Sequence, residues 1–484
     1  MNTRDALPLI FEQSRPGACG VALPECDVPA CDVGKAIPAN MRADEAPDWP
    51  QVAEPEIVRH FTRLNQRLFS VDTNFYPLGS CTMKYNPRIN ERAAADPAFA
   101  CVHPYQHESD AQGLLELLHR TRTYLERIAG LAEVSLQPAA GAHGELASLL
   151  VINAYHRDHG GVRSKILTPD TAHGTNPASC AVCGRQAVSV KSTPGGRVDL
   201  DDLRRHVDED TAALMLTHPN TVGVFDTGVS EMAEILHEKG AFLYLDGANM
   251  NAICGVARPA DFGVDIMHYN THKTFSTPHG CGGPGAGPIA ASEKLAPYLP
   301  VPQVVRRDDG TFAWDENRPK SIGKVRSFYG QVGILVRTYA YLRALGNSGL
   351  KEASEMAVLA ANYLAARLRD HFDLPYPPPY GHEFILLPAL EQYGISELDV
   401  SKRLIDFGFH PPTMSWPVHH CLMIEPTETE TKATLDAFAD TLIQIKHEVL
   451  EEPERVKQAP WNAPVRRLDE VTAARKPRVR WQPP

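Results

Sequence analysis

Between residues 134 and 290, short apolar runs alternate with helical stretches, and this alternation constrains the fold more than any other feature. SKILTP, QAVSV, AALMLTH, FLYLDGAN and VDIMHYNTHK each have the length and apolar content of a buried strand. GELASLLVINAYHR, LDDLRRHV and SEMAEILHEKG between them have helical spacing. Strand and helix in alternation require a mostly parallel sheet covered on both faces, an α/β fold. Ligands of such sheets bind beyond the C-terminal ends of the strands, so the polar residues closing each strand are where chemistry is expected.

The flanks read differently. Forty prolines exceed the roughly 5% of an average chain, and they gather in the first hundred residues, around Pro375 to Pro379 and in the tail. Proline removes a backbone donor and fixes φ, so these segments suit arms and connections. GLLELLHRTRTYLERIAGLA predicts an amphipathic helix ahead of the first strand, and Phe328 to Leu345 a long helix stopped by Gly346. A second helix through Met356 and Leu368, the strands EFILLP and HHCLMIEP, and a last helix through Leu435 and Val449 complete a smaller unit. The expected division is a proline-rich arm over 1–110, a large α/β domain over 111–325, a small α+β domain over 326–455 and a basic tail over 456–484.

A net charge of −11 argues against a nucleic-acid partner, which demands a basic footprint. No run of about 18 apolar residues suggests a membrane span, and the first residues carry no secretory pattern. The ten cysteines are scattered, so reduced thiols are expected. Cys180 and Cys183 form a CxxC, but no second pair or nearby histidine completes a zinc set, so both read as small buried helix residues.

Chemistry concentrates at two strand ends. One run closes on Asp246-Gly247-Ala248-Asn249, and the next on His268-Tyr269-Asn270-Thr271-His272-Lys273, followed by the glycine-rich HGCGGPGAGP. An aspartate and a lysine on successive strand ends suit pyridoxal 5'-phosphate. That cofactor needs a lysine amine for its Schiff base and a carboxylate to keep its pyridine nitrogen protonated. Upstream, Gly141-Ala142-His143-Gly144 opens a helix, and a helix N-terminus receives phosphate through free N–H groups. His143 is placed to lie against one face of a ring, and Ala248 is small enough to contact the other. Each feature alone is weak, since strand-end aspartates usually cap turns; their order and spacing carry the reading.

Long strings then point to a family. FEQSRPG, FYPLGSCTMKYNP, LQPAAGAHGEL, TAHGTNPAS, HPNTVGVFD, YLDGANMNA, HKTFSTPHG, PKSIGKVRSFYG, FGFHPPT and LMIEPTETETK run the length of the chain. With them the sequence resembles the P-proteins of the glycine cleavage system, the glycine dehydrogenases (decarboxylating), and within them the second subunit of the two-subunit bacterial form. The resemblance implies fold type I of the pyridoxal-phosphate enzymes. It implies the cofactor covalently on Lys273, with Asp246 at the pyridine nitrogen and His143 stacked on the ring. It further implies decarboxylation of glycine, with transfer of the aminomethyl group to the lipoyl arm of the H-protein. A separate subunit 1, two copies of each subunit and a cytoplasmic, bacterial setting follow; no metal and no nicotinamide are implied.

Ala142 and Thr271 are expected at the phosphate. His173, Thr175, Asn176 and His218 are candidate substrate contacts, as are Asn74, Tyr76, Ser80 and Lys84 of the FYPLGSCTMKYNP segment, which would equally serve as a packing arm. Arg326 and the basic tail are candidate H-protein contacts, and a solvated or dimer-packing role fits them at least as well. The chain departs from the family at Cys281, commonly glycine, at His218, commonly asparagine, and at Thr271, commonly leucine-like; WPVHHC from Trp416 is less apolar than usual. None of these removes a group the chemistry needs. Two other readings stand beside this one: a different fold-type I reaction, such as cysteine desulfuration or amino-acid decarboxylation by protonation, which fits the lysine and aspartate equally well, and a catalytically silent structural subunit. The first leaves the other motifs unexplained, and the second leaves Lys273 unexplained.

Overall fold

In the computed structural model, which describes residues 6–43, 45, 48–280 and 285–481, the apolar runs pair into a seven-stranded sheet of order β1-β7-β6-β5-β4-β2-β3. Its strands are β1 (Glu133–Ser135), β2 (Lys165–Pro169), β3 (Gln186–Val190), β4 (Thr211–Thr217), β5 (Phe242–Gly247), β6 (Ile266–Tyr269) and β7 (Ile289–Ala291). The five strands from β6 to β3 are parallel, while β7 and β1 run antiparallel at the other edge. Every residue of β5 and all but the last of β4 are buried, as strands covered on both faces require.

The covering helices are α1 (Gln112–Ala129), α2 (Gly141–Asp158), α3 (Thr175–Val182), α4 (Leu200–His206) and α5 (Val229–Glu238). In α1, Leu114, Leu117, Leu118 and Leu125 recur on one buried face, and Gly130 ends the helix in the left-handed region at φ 71°. Each such leucine, fully buried, contributes about 1.5–3 kcal/mol of apolar transfer. Cys180 is buried in a separate cluster with its sulfur 3.6 Å from that of Met215, whereas Cys183, expected to be buried in the helix, caps its end half-buried and its thiol donates to the Cys180 carbonyl at 3.3 Å.

A hairpin of β8 (Gln303–Arg306) and β9 (Phe312–Asp315) follows. Helix α6 (Val332–Leu368) starts four residues later than the apolar pattern suggests. The cause is Gly330, at φ 57°, where a Cβ would stand 2.5 Å from the Leu136 carbonyl oxygen, so the backbone there is committed to a close approach. Gly346 interrupts α6 at φ 61° and ψ −169°, and the helix resumes behind it.

A second core forms around the antiparallel sheet β10 (Phe384–Leu386), β11 (Thr413–Met414) and β12 (Leu422–Ile424), of order β10-β12-β11. Helices α7 (Glu397–Asp406) and α8 (Lys432–Glu451) pack on it through residues such as Leu404, Leu435, Phe438 and Leu442. The FYPLGSCTMKYNP segment joins this sheet, with Leu78 bridging to Ile424. At Gly79 a Cβ would meet the Met423 side chain at 2.4 Å, so only glycine passes there.

These elements belong to one compact unit, residues 71–458; residues 1–70 with 459–484 form another. Within the latter, helix Glu54–Asn65 is its longest regular element, and the Phe11 and Trp481 rings stack at 4.8 Å. The Gln13 amide meets the His60 ring nitrogen at 2.8 Å, and Arg15 pairs with Glu56.

Candidate active site

The register of the parallel strands aligns Thr217, Asp246 and His268 across β4, β5 and β6, where the strands end. Beyond that line lies a cavity of about 350 Å³. Lys273 reaches it because β6 stops at Tyr269 and the chain turns, the Lys273 N–H donating to the Asn270 carbonyl at 3.1 Å. The apolar alternation gives out at this point, so the VDIMHYNTHK run is strand only in its middle.

Of the residues expected from the sequence, Lys273, Asp246, Ala248, Ala142, His173, Thr175 and Ser80 line the cavity. Asn176 stands behind it, its amide donating to Asp246 at 3.3 Å. His143 sits on the first turn of α2, where its Nδ1 accepts from the Ala139 N–H at 3.1 Å. Thr271 is buried next to the Asn270 turn with its hydroxyl unpartnered. His218 is buried among Phe225 and Phe262, with ring centroids at 4.2 and 5.7 Å, rather than on the cavity wall. Asn74 is engaged with the Gly408 carbonyl at 3.1 Å, and the Tyr76 ring stacks on His410 at 3.6 Å. Cys281 lies outside the described residues.

Lys84 is fully enclosed. Its amine donates to Glu428 at 2.7 Å, to the Thr274 carbonyl at 2.9 Å and to Asn251 at 3.3 Å, so it fastens the turn that carries Lys273. Burial pulls this amine down, and Glu428 and Tyr341 together more than offset it, so Lys84 stays charged.

Asp246 is buried with no solvent to hold its charge. Burial alone would raise the carboxyl, but the His268 ring at 3.6 Å, the Ala248 N–H at 3.0 Å and Lys273 outweigh it and set it below the usual range. Burial drives His268 itself down to about 4, and its Nδ1 is taken by the Tyr244 hydroxyl, so at neutral pH Asp246 is the charged member. Glu145, one helical turn into α2, is the opposite case: burial and then the Asp246 charge push it up to about 7, against hydrogen bonds from Thr175 at 2.8 Å and Ser179 at 3.1 Å.

Several wall residues escaped the sequence reading. Asn270, His272 and His279 flank Lys273, and Cys81 comes from the loop after Gly79. His382 and Glu383 arrive from the edge of β10, with Glu425 behind them; ligand-type atoms of the three lie within 4.8 Å of one another. The signal for that last group was present. EFILLP and HHCLMIEP each carry a glutamate at a strand edge, and antiparallel pairing of Phe384 with Ile424 sets Glu383 opposite Glu425.

The site suits pyridoxal phosphate on the structure's own terms. Helix α2 opens at Gly141 without a side-chain cap, leaving N–H groups directed outward. A Cβ at Gly141 would strike Asn270 Oδ1 at 2.2 Å, and one at Gly287 the Ala140 carbonyl at 2.0 Å, so these glycines keep a narrow cradle open. Around it the Thr271 hydroxyl, Asn270 Oδ1 and His272 Nδ1 are buried without partners. An anionic group at the helix N-terminus, a buried carboxylate for a ring nitrogen and a lysine amine between them are the demands of that cofactor.

Known proteins similar to this chain span its length. Residues 32–309 match the family model described as glycine cleavage system P-protein, and residues 353–467 the model of the glycine dehydrogenase C-terminal domain. The chain is 53% identical over 486 residues to "Probable glycine dehydrogenase (decarboxylating) subunit 2" of Bacillus licheniformis, covering 100% of both. To the protein of the same name from Halalkalibacterium halodurans it is 53% identical over 478 residues, covering 98% of each. A crystal structure of glycine decarboxylase (P-protein) of the glycine cleavage system, in inhibitor-bound form, superposes with a TM-score of 0.72 at 21% identity. The match covers 85% of this chain and 94% of that one, and it shows the fold to be type I of the pyridoxal-phosphate enzymes. The chain belongs to the P-protein family of the glycine cleavage system.

Proposed function

We propose that this chain binds pyridoxal phosphate on Lys273 and, with a partner subunit, removes the carboxyl group of glycine and passes the remaining aminomethyl group to the lipoyl disulfide of an H-protein. The observation that carries the reading is the joint placement of Lys273, the charged Asp246 and the uncapped α2 N-terminus around one cavity, in a chain of this family. When bound, pyridoxal phosphate supplies a carbonyl that takes up an amine and a ring that accepts the electron pair left by a departing carboxylate.

This chain's residues do the rest. Lys273 would hold the group covalently and give up its place to the glycine amine. Asp246 would keep a proton on the ring nitrogen, since a charged carboxylate in a dry site is a strong acceptor. The N–H groups of Ala142 and His143, with Thr271, would hold the phosphate. His143 and Ala248 would bracket the ring. His173, its Nδ1 2.9 Å from the Thr175 hydroxyl, and Thr175 itself are the proposed substrate contacts, with Asn176 and His218 behind them. His173 is driven down by burial and by Lys273, so it serves as a neutral donor to a glycine carboxylate.

The relatives carry the name subunit 2, which supports a subunit 1 as partner, and we propose two copies of each in a bacterial cytoplasm. No helix among the described residues is long and apolar enough to cross a membrane.

Two measurements test the reading. The loaded chain should show a visible absorption band that borohydride bleaches, and Lys273→Ala should lack it; a variant that keeps the band ends the lysine assignment. Exchange of labelled bicarbonate into the glycine carboxyl group should require this chain, subunit 1 and H-protein together. Undiminished exchange without this chain, or none with all three, would overturn the glycine assignment.

A further inference from the structure

Two carboxyl groups meet where β10 begins and β12 ends, on the side of the cavity formed by the smaller sheet. The register pair Phe384 and Ile424 makes Glu383 and Glu425 the next cross-strand neighbours, an arrangement that is unfavourable when both are charged. Both side chains are buried, Glu383 at 3% exposure and Glu425 at 0%. Their partners differ. Glu425 accepts from the Thr82 N–H at 3.0 Å, the Thr82 hydroxyl at 2.6 Å and the amides of Asn249 and Asn251 at 2.8 and 3.1 Å. Four donors thus converge on this one carboxyl group. Glu383 accepts from the Ser80 N–H at 2.6 Å, and its other oxygen faces His382 at 3.6 Å. Burial first, and then the neighbouring Glu425, push the Glu383 carboxyl well above the usual range, which favours its acid form.

The other groups facing it do not replace it. Both ring nitrogens of His382 are buried and unpartnered, and burial lowers this histidine, so it is a neutral base. Burial raises the Cys81 thiol, and Lys273 stands across the cavity. Glu145, the other raised carboxyl, has both oxygens accepting from Thr175 and Ser179. Glu383 is therefore the acid that opens onto the cavity with the better-supported proton.

We infer that Glu383, paired with the Glu425 carboxylate, is the proton donor to the sulfur released when the acceptor disulfide opens. The inference rests on the function proposed above. In that step the electron pair left by the departing carboxylate forms the carbon–sulfur bond, and the S–S bond breaks. The released sulfur keeps that bond's pair as a thiolate, and the disulfide is the oxidant. Glu383 gives its proton to the thiolate and becomes a carboxylate beside Glu425. That state is costly, so Glu383 takes a proton back from water entering the cavity, with His382 placed to pass it.

The first test uses the full chain without cofactor. At neutral pH its infrared spectrum should contain the carbonyl band of a buried carboxylic acid that Glu383→Gln removes. In Glu425→Gln, which leaves Glu383 in place, the same band should titrate away at lower pH. A band unchanged in both variants overturns the assignment. The second test uses the loaded chain with subunit 1 and lipoylated H-protein. Glu383→Gln should lower kcat for aminomethyl transfer about a hundredfold and flatten the alkaline limb of its pH profile, with glycine KM and the visible band unchanged. Full kcat in that variant overturns the donor role. One equivalent of a divalent metal in the purified chain, lost in Glu383→Gln, would make the cluster a metal site instead. A wild-type chain that binds cofactor yet transfers nothing to the disulfide overturns the function itself, a failure distinct from loss of the infrared result alone.

Discussion

Asp246 and Glu383 are both buried carboxyl groups on one cavity, and their surroundings shift them in opposite directions. Asp246 ends a parallel strand of the large sheet and looks at His268, an N–H and a lysine. Glu383 immediately precedes an antiparallel strand of the small sheet and looks at a second carboxyl group. Burial pushes both up by the same mechanism, so the neighbours decide the outcome. The contrast divides the cavity by chemistry. The large-sheet wall holds a fixed negative charge, which suits stabilising a cation. The small-sheet wall holds a proton, which suits neutralising an anion formed late.

The largest expected effect breaks the first half of this contrast. Asp246→Asn keeps the shape and removes the charge, and kcat for bicarbonate exchange should fall about a hundred- to a thousandfold. The cofactor should remain bound through Lys273, so the visible band persists with its protonation-sensitive position changed. Activity within a factor of three of wild type would show that the charge at Asp246 is dispensable. Next in size is Glu425→Gln. Its amide cannot satisfy four donors, and buried hydrogen bonds to a charged group are worth about 1.5–3 kcal/mol. Thermal melting of the cofactor-free chain should show a loss of about 3 kcal/mol.

The two walls were also unequally legible in the sequence. The large-sheet wall is local: Asp246, Lys273 and Gly141 each sit at the junction of an apolar run and a polar or small-residue turn, and parallel strands bring such junctions to one edge. Periodicity therefore located them, and β2 to β5 lie where the apolar runs fall. The short antiparallel edges β1 and β7 carry too few residues for a pattern, and the β8–β9 hairpin has no counterpart among the apolar runs. The small-sheet wall depends on pairing between residues 42 positions apart, Glu383 and Glu425, and on the FYPLGSCTMKYNP loop crossing Met423 at Gly79. A strand's own pattern does not reveal its partner. For the same reason Lys84, a candidate substrate contact by its motif, is found tied to Glu428 and the Thr274 carbonyl, contacts far off in sequence.

Glu145 sharpens the comparison from between the two walls, because its acid form depends partly on Asp246. Its carboxyl is raised to about 7 by burial and by that charge, while in the unfolded chain it titrates near 4.5. A raised carboxyl contributes stability fully below the unfolded value, and that contribution disappears as pH rises through the folded one. The cofactor-free wild type should therefore lose stability between about pH 4.5 and 7 relative to Glu145→Gln, which has no proton to lose there. The difference should be on the order of 2 kcal/mol, the full shift being reduced for residual solvent screening. Chemical denaturation at pH 5 and pH 8 measures it, and parallel curves for the two proteins would mean Glu145 is ionised throughout.

The smallest expected effect belongs to Glu383→Gln, and its smallness is the informative part. If Glu383 is already neutral, an amide of the same shape replaces one uncharged group by another. It also removes the repulsion from Glu425 that any ionised fraction would feel. The melting temperature of the cofactor-free chain at neutral pH should then move by no more than a surface substitution does, within about 0.5 kcal/mol. An ionised Glu383 predicts the reverse: the variant would relieve two like charges in a dry site and gain stability well beyond that range. The same substitution that hardly alters folding should slow transfer to the disulfide, and only a group used for its proton has that combination of effects.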